Sequence, residues 1–105
     1  MITTLKIILD YRCYPVWLYD ENGFIIDTLL PDELKKNIKL DRKFDDLQAR
    51  YDALFIDNGK EFSYVGFESA LQKTQFLKDW ASAVSELKAK TNGKYVVIDE
   101  IDKAF

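Results

Sequence analysis

The chain has 105 residues, of which 48% are hydrophobic and 31% charged, with 18 acids against 15 bases. That length and balance predict one globular domain, residues 1–105, and exclude disordered, collagen-like or fibrous architectures. With no histidine, a single cysteine and a pI near 4.9, the chain lacks imidazole acid–base chemistry, Cys/His metal sites, an internal disulfide and the basic footprint of a nucleic-acid binder.

Thr4 to Tyr11 reads as a strand. Leu5, Ile7, Leu9 and Tyr11 share one face, and Ile8 makes the other partly apolar, the pattern of a central strand. Val16-Trp17-Leu18-Tyr19 and Phe24-Ile25-Ile26 then flank Asp20-Glu21-Asn22-Gly23. A three-residue loop with Gly23 in the left-handed conformation would pair Leu18 with Ile26 and Tyr19 with Ile25. Leu30 to Asn37 has the ordering of a short helix, with Pro31 in the first turn, Asp32 and Glu33 at the positive end and Lys35 and Lys36 at the negative end. Asp41 is placed to cap a second helix, on which Phe44, Leu47 and Tyr51 fall at i, i+3 and i+7.

Between Ala53 and Val65, Asn58-Gly59 suits a two-residue type I′ turn that opposes Asp57 to Lys60 and Phe55 to Phe62. The competing reading extends the second helix to Ile56 and caps it with Asn58-Gly59. A last helix lies between Ser69 and Thr91, with an apolar stripe of Phe76, Leu77, Trp80, Ala81, Val84 and Leu87. It starts either at Ser69, where Ser69-Ala70-Leu71-Gln72 has capping-box form, or at Thr74. Asn92-Gly93 ends it, and Tyr95 to Ile98 reads as a final strand of buried type. The elements together predict an α+β fold: a mostly antiparallel sheet of about five or six strands under a single layer of two to three helices.

Catalytic and cofactor chemistry find little to work with. A Ser or Cys nucleophile has no histidine base, and Gly23, Gly59, Gly66 and Gly93 are too scattered to cradle a phosphate. Asp99, Glu100 and Asp102 offer oxygens to a hard cation, but an isolated Asp-Glu-x-Asp is more simply a solvated terminus. Arg12 beside Cys13 would favour a thiolate, against the commoner role of cysteine as a small buried hydrophobe. No catalytic residue, metal or cofactor is expected. The apolar run Ile7-Ile8-Leu9 is too short for a secretory leader and no stretch is long enough to span a membrane, so a cytoplasmic protein without a membrane partner is expected.

Charge is unevenly spread. Residues 1–34 hold two bases against six acids, residues 35–61 seven against six, and the remainder six of each. Tyr11, Tyr14, Trp17 and Tyr19 crowd into this acidic third. On an alternating strand Trp17 and Tyr19 oppose Val16 and Leu18, so one pair faces outward unless helices cover the sheet twice. If the sheet is covered once, Tyr14, Trp17, Tyr19, Asp20, Glu21, Asp27 and Asp32 form a protein-binding surface in which aromatics supply contact area and carboxylates steer a basic partner. If it is covered twice, the rings are core. The run from Leu9 through Tyr11-Arg12-Cys13-Tyr14-Pro15 to Asp20-Glu21-Asn22-Gly23, with the size and acidity of the chain, resembles small cytoplasmic immunity proteins of bacterial toxin systems. The resemblance implies a non-catalytic inhibitor that binds a cognate toxin, basic and nuclease-like. The alternative is a structural subunit that self-associates through the same aromatic face, and the oligomeric state is open.

Overall fold

A computed structural model describes residues 1–105. Six strands and two helices occur in the order β1 (Ile2–Ile7), β2 (Val16–Asp20), β3 (Ile25–Thr28), α1 (Ile38–Asp52), β4 (Phe55–Asp57), β5 (Phe62–Tyr64), α2 (Ala70–Thr91) and β6 (Val96–Asp99). Single 3₁₀ turns occupy Asp32–Leu34 and Ile101–Lys103. The class is α+β, but the main sheet is smaller than expected and mixed. Its order is β3-β2-β1-β6, antiparallel throughout except for the β1–β6 pair, while β4 and β5 form a separate two-stranded sheet.

The parallel pair follows from the long helix. A parallel neighbour needs a crossover connection, and the 22 residues of α2 carry the chain back along the sheet before β6 begins. β1 is therefore central, as its two-faced apolar pattern requires, although it stops at Ile7 rather than Tyr11. Arg12 turns the chain there with a positive φ of 56°. Helix α1 holds that turn: Asp52 accepts from the Arg12 amide at 2.9 Å, and buried Gln48 donates to the Asp10 carbonyl at 2.7 Å.

Leu5, Ile7, Val16 and Leu18 point to one side and are buried under Leu40, Phe44 and Leu47 of α1 and Phe76, Trp80, Val84 and Leu87 of α2, in a single apolar cluster. Each helix has one apolar stripe, and this inner face uses both. The stripe of α2 runs through Ala83 rather than Leu77 and Ala81, which are exposed. Leu30 to Asn37 does not form a helix. Only a 3₁₀ turn follows Pro31, because Asn37 is taken as the cap of α1, accepting from the Leu40 amide at 3.1 Å. The expected cap, Asp41, instead accepts the Tyr14 hydroxyl at 2.9 Å. Ser69 caps α2, and Asn92 ends it in the left-handed conformation.

Both hairpins exist with altered registers. The loop Glu21-Asn22-Gly23 places Gly23 at φ 82° and pairs Tyr19 with Ile25, but a bulge sets Leu18 opposite Asp27 instead of Ile26. After β4 the turn is shifted by one residue. Asp57 pairs with Phe62 and Phe55 with Tyr64, because the Asn58 side chain accepts the amides of Lys60 and Glu61 and only Gly59 takes a positive φ. Residues 55–57 are thus strand, and α1 ends at Asp52.

Candidate functional site

The outer face of the sheet has no helix on it. Cross-strand pairing sets Ile25, Tyr19, Thr4 and Val96 in one row and Thr28, Trp17, Lys6 and Ile98 in the next. Trp17 and Tyr19 are half-buried at its centre, the flexible amine of Lys6 lies 4.8 Å from the Tyr19 ring centroid, and Ile25, Val96 and Ile98 are 48%, 62% and 37% exposed. Strand β6 is therefore an edge strand open on this face and not the buried strand its apolar run predicts. Residues Ile25, Val96 and Ile98 belong to the surface, although the sequence placed them only as strand residues and not in the site. The alternation of Val96 and Ile98 about Val97 was the signal available for the last two.

The seven residues singled out in the sequence divide between four places. Trp17 and Tyr19 share the outer face. Asp20 and Glu21 stand at its hairpin end, where Asp20 accepts from the Asn22 and Phe24 amides at 2.9 and 3.0 Å and thereby builds the turn. Backbone hydrogen bonding and the amino terminus, 3.2 Å away, hold the Glu21 carboxyl below its ordinary pKa. Asp27 and Asp32 lie around the β3 edge, lining an open groove of about 470 Å³ with Ile26, Leu29 and Glu33. Lys35, at 2.8 Å, holds the Asp32 carboxyl below its usual range. Tyr14 is the correction. It leans on Phe44 on the helix side, and burial together with the bond to Asp41 raises its phenol well above the ordinary value.

A chain with its residues spread over one open sheet face and an acidic rim presents a surface, not a cleft. The three C-terminal acids Asp99, Glu100 and Asp102 do not converge on a cation: Asp99 accepts from Trp80 Nε1 at 2.9 Å and from the Ile101 amide at 3.0 Å, and Glu100 pairs with Lys103. Nor is Cys13 activated, since burial, Asp10 and Asp52 all raise its thiol pKa. No helix is long and apolar enough to cross a membrane.

Comparison with protein families matches residues 3–99 to the Serratia CdiI immunity protein-like family. The chain belongs to this family. A match across all six strands and both helices makes this a toxin-system immunity protein by its whole fold, and not by the aromatic opening alone. Immunity proteins of this kind are in general non-catalytic and imply a cognate toxin as partner. No curated protein matches the chain.

Proposed function

We propose that this immunity-family protein is a stoichiometric inhibitor that covers the active surface of a basic, nuclease-like toxin domain with the outer face of its main sheet. The observation that carries the reading is the uncovered face itself, with Trp17 and Tyr19 at its centre and Ile25, Val96 and Ile98 around them. Aromatic side chains desolvate a large area while freezing few rotors, which suits the centre of an interface. Of the rim acids Asp20, Glu21, Asp27 and Asp32, Glu21 and Asp32 are paired with the amino terminus and Lys35. The excess negative charge of the remainder raises the rate of encounter with a basic partner more than it adds affinity.

Co-expression with the toxin domain encoded beside this chain tests the reading. Growth is expected to be restored, with a one-to-one complex on gel filtration. Unrelieved toxicity without a complex would remove it. The self-association reading draws on the same exposed apolar face and makes a different forecast: a dimer by light scattering whose mass does not change on dilution.

A further inference from the structure

Strand β3 is one edge of the main sheet, short and bulged at Ile26 but free of lysine and proline. The bulge and the carboxylate of Asp27 blunt this edge in part, yet Phe24, Ile25 and Ile26 are consecutive apolar residues all exposed, Phe24 at 69% and Ile26 at 56%. Such a run on a soluble surface is a defect unless something uses it. An edge strand also directs alternate backbone N–H and C=O groups away from its one neighbour.

The segment that carries this strand has one sign of charge, although Lys35 and Lys94 line the groove beside it. Between Arg12 and Lys35 the chain carries Asp20, Glu21, Asp27, Asp32 and Glu33 and no base. Four of these are engaged: Asp20 by its turn, Glu21 by the amino terminus, Asp32 by Lys35 and Glu33 by Lys94. Asp27 makes no salt bridge, its nearest cation being the Lys35 amine that is already paired with Asp32 in the same groove. It accepts only from the amide of its neighbour Thr28, at 2.8 Å, and it opens onto the groove shared with Ile26, Leu29 and Asp32.

We infer that β3 receives an extended basic segment of the toxin as a fifth strand, an inference that rests on the inhibitor reading above. Side chains of such a segment alternate between two faces. One set extends the apolar outer surface beside Ile25, and the other enters the groove, where a lysine or arginine meets Asp27. Strand addition draws affinity from main-chain hydrogen bonds and selectivity from the alternate side chains. A second copy of this chain fits poorly. Two-fold pairing of β3 with itself brings the acids of both copies face to face, and like charges opposed across strands are destabilising.

Amide hydrogen exchange on the chain alone and in complex with the toxin domain encoded beside it, together with binding by Asp27→Lys and Ile26→Lys, tests the inference. Both substituted positions are exposed, and far-UV circular dichroism checks that each variant folds. The expected result is exchange slowed at least about tenfold over Ile25–Thr28, and at least about tenfold weaker binding by Asp27→Lys. A complex in which β3 exchanges as in the free chain, or which Asp27→Lys binds as tightly, overturns the strand addition and leaves the inhibitor reading standing. Absence of any complex and of growth protection overturns both. Slowed exchange over β3 in a dimer of the chain alone overturns the choice of occupant.

Discussion

Two tryptophans illustrate how differently one residue type is used here. Trp80 is fully buried between the helices and the sheet, and its indole N–H donates to Asp99. The Trp17 indole nitrogen is shielded from water and has no acceptor, and a buried donor left unpaired costs roughly 1–3 kcal/mol. Trp17→Phe, which deletes that donor along with some apolar area, is therefore expected to change stability by less than about 1 kcal/mol in urea unfolding. Trp80→Phe loses packing and a satisfied hydrogen bond in the core, and is expected to cost at least about 2 kcal/mol. Equal losses from the two would contradict this assignment. Sequence periodicity placed Trp17 and Tyr19 together because alternation is local. It misplaced Tyr14, whose environment depends on Asp41 from a helix 27 residues later and on the ring of Phe44.

At the scale of elements, what was legible was whatever neighbouring residues decide. The helix cap Ser69, the left-handed exit at Asn92 and the glycine of the first hairpin loop are each fixed within a few residues. Ser69 accepts from the Gln72 amide at 3.1 Å, and the Gln72 side chain returns a bond to the Glu68 amide at 2.8 Å. Ser69→Ala is expected to lower stability by about 1 kcal/mol with no change in the helical spectrum beyond fraying of the first turn, and thermal melts followed by circular dichroism check it. Registers were less legible, because side chains compete with the backbone for turn amides. Asn58 satisfies two amides with its own carboxamide and moves the second hairpin turn by one residue, while the bulge opposite Leu18 displaces Ile26. The parallel placement of β6 was illegible for another reason: nothing local in Val96–Asp99 states which strand it joins, and the joining is decided by where α2 delivers the chain.

For the molecule as a whole, the two helices are tied to each other by charge as well as by the core. Arg50 reaches Asp79 at 2.8 Å and Lys43 reaches Glu86 across the α1–α2 seam. Arg50, and then Gln75, holds the Asp79 carboxyl below its ordinary value, and Lys43 does the same for Glu86. A depressed carboxylate stabilises the fold fully above its unfolded pKa and loses that contribution as pH falls through its lower folded pKa. Stability at low salt is thus expected to decline as pH drops below about 4, and Asp79→Asn to flatten the decline, by a modest amount because both pairs are partly exposed. Urea midpoints between neutral pH and the acid limb measure it, and a variant as acid-sensitive as the parent would remove this pair from the account.

The same whole-molecule asymmetry, helices on one face and none on the other, underlies the functional reading. Calorimetric titration of the toxin domain into the parent protein and into the Trp17→Ala/Tyr19→Ala double variant addresses it most directly, with circular dichroism confirming that the variant keeps its helices. Truncating two central aromatics of an interface is expected to weaken binding by about a hundredfold or more. Undiminished affinity in a folded variant would mean that the toxin is met elsewhere and that the open face of the sheet is not the inhibitory surface.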